Sequence, residues 1–319
     1  MSFNPIANPL LGLLMIASAV VIGILAGIYP ALVLSGFQPI KVLKSLKFTG
    51  GSGKPWLRQS LVVVQFALSA LLIIAAVIVY KQTAFLNNKD LGFSKDQVIF
   101  FQLRNGAEQN LETFKTELKR SPGVAGVTSG YGLPGDQFAG DGVSVPTSQG
   151  MKEYPANVFI GDHDYVKTLG MRIIAGRDFS RDMTTDQDQA FIINETAVKE
   201  FGFGTPEKAI GQRMDWEEWE PADTLNPVKK GKVIGVVQDF HYKSLHEKVT
   251  ASVIQVYPRV TFKMAVKLKA ADIRSTIAYI NSVWNRFSPG YPLDYKFMDD
   301  SYGMMYKNEE KLASLMWVF

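Results

Sequence analysis

Two long uncharged apolar runs open the chain. Leu10 to Leu34 reads LLGLLMIASAVVIGILAGIYPALVL, and Gln59 to Tyr80 reads QSLVVVQFALSALLIIAAVIVY. A helix rises about 1.5 Å per residue, so roughly 20 residues cross a hydrocarbon layer of about 30 Å. Both runs are long enough. A helix on a soluble core carries polar residues along one face, whereas here Ser18, Ser35, Gln65 and Ser69 are the main interruptions. The pattern predicts two transmembrane helices, with a buried core helix as the rival reading. A cleaved signal peptide fits poorly: no basic residue precedes Leu10, and the run is too long. Gly23 and Gly27 form a GxxxG spacing, with Ala19 one step earlier. That spacing lets helices approach closely in lipid, and it also arises by chance. Pro30 is expected to kink or end the first helix.

After Tyr80 the pattern changes. Short runs of β-type residues predict strands at Val98–Leu103, Asn157–Ile160, Phe191–Asn194, Val233–Val237, Val253–Tyr257 and Met264–Leu268. Helices are expected at Asn110–Arg120, Glu195–Phe201 and Ala271–Phe287. The last has Ile273, Ile277, Ile280, Val283, Trp284 and Phe287 on one face, and Asp272 at its positive end. The glycine-rich stretch Gly130–Gly142 reads as a loop. Strands and helices are interspersed without regular alternation, which predicts an α+β domain over residues 81–311. The final residues, Leu312–Phe319 (LASLMWVF), are too few to span a bilayer. They read either as a tail packed on the domain or, the favoured expectation, as the start of a further span cut off by the end of the chain.

Charge orients the first two runs. All 30 acidic residues lie after position 81, beginning at Asp90. Before position 81 the only charges are Lys41, Lys44, Lys47, Lys54 and Arg58. Five of the 34 basic residues are thus confined to one connector, leaving 29 against the 30 acids elsewhere. A nucleic-acid binder does not partition its charge this way. Short basic loops stay on the cytoplasmic side of a membrane. The expected layout is an N-terminal segment and span in 1–34, a cytoplasmic connector in 35–58 touching anionic lipid, a second span in 59–80, and the domain 81–311 outside. In a bacterium that is the periplasm. Trp56 and Tyr80 flank the second span as interfacial aromatics do.

Candidate chemistry is sparse. With no cysteine there is no disulfide, thiolate site or cysteine nucleophile. Gly50-Gly51-Ser52-Gly53-Lys54 lacks the earlier glycine and following Ser or Thr of a phosphate loop, and reads as a flexible linker. Of the three histidines, His241 and His246 are spaced wrongly for a zinc helix, and Asp162-His163-Asp164 reads as a solvated loop before a metal site. Trp216-Glu217-Glu218-Trp219-Glu220-Pro221 reads as an exposed hairpin tip before a binding loop for a cationic ligand. No Gly-x-Ser-x-Gly elbow is present. Nothing in these residues argues for an enzyme or a cofactor.

Several motifs, in order, resemble a known family. Gly27-Ile28-Tyr29-Pro30-Ala31-Leu32-Val33-Leu34-Ser35-Gly36-Phe37-Gln38-Pro39 and Val42-Leu43-Lys44 resemble the end of a fourth span in FtsX-like/MacB-like ABC permeases, above all the duplicated Bacteroidetes form. Leu57 to Phe66 (LRQSLVVVQF) and Asp90-Leu91-Gly92-Phe93 look like the start of the second half of such a permease. Gly176-Arg177-Asp178-Phe179, Asn194-Glu195, Ile210-Gly211 and Val233 to His241 (VIGVVQDFH) resemble its periplasmic core domain.

The resemblance implies a multi-pass inner-membrane permease with a MacB-like periplasmic domain and a separate cytoplasmic ABC ATPase. It also implies a partner half or second copy, and motion passed through stalk residues between Tyr80 and Leu312. The family's main ATPase-contacting loop would follow a span starting near Leu312, so ATPase contact would run through regions outside this chain. The alternatives are a membrane-tethered periplasmic receptor or sensor, a regulator of cell-wall hydrolases, and, least supported, a surface-anchored enzyme.

Overall fold

The computed structural model describes residues 55–136, 141–217, 228–257 and 261–306, with the isolated positions Ala17, Val20, Val21, Gly23, Ile24 and Ile28. The chain falls into two compact units, Met1–Ala70 and Leu71–Phe319. The first long element is helix α1, Pro55–Asn88. Proline is favoured at such a start because its missing N–H costs nothing there. No Gly or Pro follows within the helix. Its window Val62–Gln82 has a mean hydropathy of 2.9, and none of it is buried. At about 100° per residue, Val63, Phe66, Leu68 and Leu72 face different sides of the axis, and all four are exposed. This helix is apolar all round and long enough to cross a membrane.

The rest of the described chain builds a mixed α/β domain in two interlocked parts. The outer part comes from both ends of the segment: β1 (Val98–Gln102), α2 (Leu111–Lys119), β2 (Val124–Gly130), and, much later, β10 (Lys263–Leu268), α4 (Ile273–Phe287) and β11 (Tyr295–Phe297). Between β2 and β10 come β3 (Asp141–Thr147), β4 (Gly150–Gly161), β5 (Ile173–Gly176) and β6 (Ala190–Asn194). They are followed by α3 (Glu195–Glu200), β7 (Arg213–Glu217), β8 (Val228–Val237) and β9 (Ser252–Val256). Then β10 (Lys263–Leu268), α4 (Ile273–Phe287), β11 (Tyr295–Phe297) and α5 (Met298–Met305) complete the domain.

The outer strands run in the order β11-β1-β10-β2, each pair antiparallel. This is a split β-α-β-β-α-β arrangement. Alternation along β1 sends Ile99 and Phe101 toward α2 and α4. There they join Phe114, Leu118, Ile280, Val283 and Trp284 in one buried cluster. The Phe101 and Trp284 rings meet edge-on at 5.4 Å, a favoured aromatic geometry.

The inserted strands pair round a closed circuit: β4 with β3, β3 with β7, β7 with β8, β8 with β6, β6 with β9, and β9 back to β4. Closure of this kind leaves few open strand edges. The long β4 makes it possible. Its residues 150–156 pair with β3, and its residues 157–161 run parallel to β9. Val143, Val158, Phe191, Met214 and Val253 pack together with Ala197 and Val198 of α3. A third cluster joins the two parts, with Val98 and Ala265 of the outer sheet against Phe159 and Ile254 of the insert.

Three expectations need correction. Strands β2, β3 and β7 fall where no strand was expected, and β3 begins inside the anticipated loop Gly130–Gly142. Trp216 is not at an exposed tip. It is the penultimate residue of β7 and is buried, edge-on to Tyr257 at 5.6 Å. Residues 218–221 of that motif lie outside the described residues. The Asp162-His163-Asp164 turn is no loose loop either. Asp162 accepts from Thr128 Oγ1, Ser129 N–H and Oγ, and the Asp164 N–H, and it pairs with the buried ammonium of Lys115. Asp164 completes the knot with Lys115, Lys119 and Arg181. Burial opposes its ionisation, yet the hydrogen bond from Lys119 and the charges of Lys115 and Lys119 hold its carboxyl well below the usual range. The knot ties α2 of the outer part to the end of β4 in the insert.

Candidate coupling junction

The end of α1 leads straight into Asp90-Leu91-Gly92-Phe93. The Gly92 N–H donates to Asp90 Oδ1 at 2.9 Å, closing a tight turn. Gly92 has φ +79°, and a Cβ there would run into the Asp239 carbonyl. Only glycine fits both demands. The turn thus lies directly on the segment Asp239–Phe240. The His241 N–H donates to the Leu91 carbonyl at 2.8 Å.

The segment after β8 is gripped from a second side. Tyr302 of α5 donates its hydroxyl to the Tyr242 carbonyl at 2.7 Å, with the His241 carbonyl at 3.2 Å. The Leu245 N–H donates to Tyr306 Oη at 2.7 Å, and the Gly135 N–H donates to the Tyr242 carbonyl at 2.8 Å. Tyr302 is buried, and its ring meets Phe93 at 5.5 Å. Burial, reinforced by neighbouring Tyr306, Tyr165 and Asp136, pushes its phenol far up, so it stays a donor at any physiological pH. Burial and the nearby Lys89 pull the His241 imidazole down, against the opposing charge of Asp239, and so favour its neutral form. The chain arriving from α1 and the chain entering α5 therefore close on the same stretch, Asp239–Leu245.

The other family-like motifs anchor that stretch to the insert. The Asp239 carboxylate accepts from the Thr196 N–H and Oγ1, both at 2.8 Å, while the Asp239 N–H donates to Glu195 Oε2 at 3.0 Å. Asn194, fully buried, caps α3 by accepting from the Ala197 N–H and also accepts from the Ser252 N–H of β9. Caps of this kind contribute about 1 kcal/mol. Gly176, at φ +73°, has no room for a Cβ beside the Ile234 carbonyl, which lets β5 lie on β8. Arg177 then grips the buried Asp186 with two hydrogen bonds, at 2.6 and 2.7 Å. Burial opposes ionisation of Asp186, but the bonds from Arg177 and the Ser180 N–H outweigh it and hold the carboxyl below its usual range.

The residues singled out from the sequence sit elsewhere. Lys41, Lys44, Lys47, Lys54 and Gly27 lie outside the described residues, as do 312–319. Arg58 falls in the first turns of α1. Gly23 is helical, and a Cβ there would meet nothing within 4 Å among the described residues. Sequence reasoning named Asp90–Phe93, Asn194-Glu195 and Gln238–His241 as motifs, but not their meeting. It missed Tyr302 and Tyr306 altogether. Their i,i+4 spacing on α5 was the available signal. Among the described residues, no group of three or more His, Asp or Glu is arranged to hold a metal.

No protein-family model and no curated protein matches the chain. Solved structures similar to it include the following three. The periplasmic region of MacB from Actinobacillus actinomycetemcomitans is 16% identical with a TM-score of 0.45, covering 70% of this chain and 98% of its own. The extracellular domain of the ABC-type transporter YknZ from Gram-positive bacteria is 15% identical with a TM-score of 0.39, covering 62% and 97%. A domain of a permease protein from Porphyromonas gingivalis is 14% identical with a TM-score of 0.41, covering 64% and 90%.

Proposed function

We propose that the chain is part of an ABC-type permease. In this reading α1 crosses the membrane, the domain lies on its outer side, and the junction at Asp239–Leu245 passes helix motion into the domain. The observation that carries it is the joint grip of Leu91 and Tyr302 on that one segment. The apolar α1, with none of its window Val62–Gln82 buried, supports the membrane assignment. The basic connector 35–58 supports an orientation with that connector in the cytoplasm. A separate ATPase would supply the energy, and a second half or copy would complete the permease. The domain's contribution is mechanical: it offers packed carbonyls and hydroxyls that hold position, with no chemical step.

The absence of native cysteine makes the test direct. Single cysteines are introduced as Ser52→Cys in the connector and Met151→Cys at the exposed start of β4. A membrane-impermeant maleimide applied to intact cells is expected to label position 151 and spare position 52 until the membrane is broken. Labelling of both, or of 52 alone, sinks the topology. In the assembled complex Tyr302→Phe, which removes the hydroxyl that grips the Tyr242 carbonyl, is expected to lower ATPase activity coupled to the domain while the fold is retained. Unchanged activity in that variant would reject the junction as a coupling element.

A further inference from the structure

The connection from β1 to α2 carries the sequence's one Asn-Gly step, Asn105-Gly106. Its backbone is unusual. Asn105 adopts φ 48°, ψ −124°, a region that side-chain-bearing residues rarely occupy unless the surrounding structure holds them there. At the tetrahedral Cα of an L-residue, a ψ of this value swings the next nitrogen round until it nearly eclipses Cβ. Helical and extended backbones keep that nitrogen well away from Cβ. The Gly106 nitrogen is therefore brought onto the same side of the chain as Asn105 Cβ, as closure of a five-membered ring with Asn105 Cγ requires.

The two reacting groups are free, while their frame is fixed. Asn105 is exposed, and its side chain caps none of the N–H groups that follow. Among the described residues the Gly106 N–H donates to no acceptor. Glycine also has no side chain to shield that nitrogen. The frame is held from several sides. The Arg104 carbonyl accepts from the buried Ser288 Oγ at 2.7 Å and from the Ala107 N–H at 3.2 Å. The Asn105 carbonyl accepts from the Glu108 and Gln109 N–H groups, both at 3.0 Å. Gly106 lies against the Phe287 carbonyl, where a Cβ would not fit.

We propose that Asn105 is a self-modification site, which the fold primes for succinimide formation. The Gly106 nitrogen gives up its proton to hydroxide and attacks Asn105 Cγ. A bond forms from that nitrogen to Cγ, the Cγ–Nδ2 bond breaks, and Nδ2 leaves as ammonia, taking a proton back from water. Water then opens the ring. Addition at Cγ breaks the new bond and leaves Asp in place of Asn. Addition at the main-chain carbonyl breaks the original peptide bond and leaves isoaspartate, whose chain runs through Cγ. In both cases the Gly106 nitrogen regains its proton. Each product places a carboxylate next to Arg104, and isoaspartate lengthens the connection from β1 to α2 by one methylene. The reaction needs neither the membrane nor an ATPase.

The full chain is incubated at mildly alkaline pH, folded in detergent or unfolded in guanidinium chloride. Samples are digested with pepsin in acid, which suppresses further reaction, and the peptides are read by mass spectrometry. Loss of one ammonia marks the ring. Exchange of the amide for a carboxyl marks the two products, which chromatography separates. Asn105 is expected to convert at least about fivefold faster in the folded chain, which already holds a conformer that the unfolded chain seldom visits. Asn281, exposed within α4 and followed by Ser282, is expected to stay intact in the folded chain. There a helical ψ turns the next nitrogen away, and its N–H is bonded along the helix. Asn105→Gln, whose longer side chain would have to close a six-membered ring, is expected to remain unmodified at that position. An Asn105 that survives in the folded chain, or reacts no faster there than in denaturant, overturns the proposal. So does equal conversion of Asn281, which would mark damage in handling and not a primed site.

Discussion

Lys229 gives the sharpest physical test of the insert. It is the second residue of β8 and is 8% exposed. Its ammonium donates to the Val256 carbonyl at 3.1 Å and lies 4.9 Å from the Phe191 ring centroid. Burial pulls its pKa from 10.5 down to about 7, although the charges of Asp188 and Asp186 oppose the fall. The folded value is depressed, so the native state binds fewer protons than the unfolded chain between about pH 7 and 10.5. The cost of burying the cation is therefore full below pH 7 and disappears as pH rises toward 10.5. At pH 7 it amounts to about 4 kcal/mol, and relief comes at up to about 1.4 kcal/mol per pH unit. Lys229→Met keeps the volume and removes the charge, at the loss of one hydrogen bond worth about 1 kcal/mol. The variant is expected to be about 3 kcal/mol more stable than the parent at pH 6.5 and about 1 kcal/mol less stable above pH 10, where the neutral amine keeps only its hydrogen bond. Urea unfolding of the detergent-solubilised chain, followed by tryptophan fluorescence between pH 6.5 and 10, reads the difference. Parallel stability curves for parent and variant would refute the account, because a neutral side chain has no proton to release.

Two further outcomes follow from the packing. Gly92→Ala is expected to cost about 2–4 kcal/mol, because φ +79° and the Asp239 carbonyl both exclude a Cβ. Gly303→Ala on α5 meets nothing within 4 Å and is expected to be neutral or to stabilise by up to about 1 kcal/mol; thermal unfolding of the two variants distinguishes them. In the ion-pair knot, Asp162→Ala strips the buried Lys115 of its nearest partner and is expected to cost about 3–5 kcal/mol. Lys115→Met leaves Asp162 with its donors from Thr128, Ser129 and Asp164, so about 1–2 kcal/mol is expected in the same urea assay. A larger loss for Lys115→Met would show that Asp162 is not the hub.

The elements legible in the sequence are those whose burial is written as a pattern. Helix α4 carries its apolar residues at helical spacing, and the buried runs of β6, β9 and β10 are dense in Val, Ile and Phe. The strands that escaped notice lack that signature. In β3, only Val143 and Val145 are apolar among Gly, Ser, Pro and Thr. Strand β2 is built of small residues because α2 and the Tyr165 turn crowd it. The first half of β4 is polar and exposed, so only 157–160 of its twelve residues read as strand. Trp216 misled because its acidic neighbours suggested exposure, while its burial is set by Tyr257 from another strand. The Asp162 turn misled in the same way. Three charged or polar residues in a row look solvated, and the partner that buries them, Lys115, lies on a distant helix. The junction motifs were visible one by one, but chain topology alone brings Leu91 onto His241.

That junction behaves as one body for energetic reasons. Four hydrogen bonds fix the stretch from His241 to Leu245: to Leu91, from Tyr302, from Gly135, and to Tyr306. Leaving a buried polar group unpaired costs about 1–3 kcal/mol. Sliding the stretch away from either helix end would therefore cost several kcal/mol before any packing is lost. The same stretch continues β8, which pairs with β5, β6 and β7 together. A displacement at Leu91 or Tyr302 is thus cheaper to pass on to three strands of the insert than to absorb locally, since close-packed interiors transmit strain. Cutting one bond, as in Tyr302→Phe, leaves the Tyr242 carbonyl its Gly135 donor. The grip loosens on the α5 side alone, and coupling is expected to weaken while the fold stands.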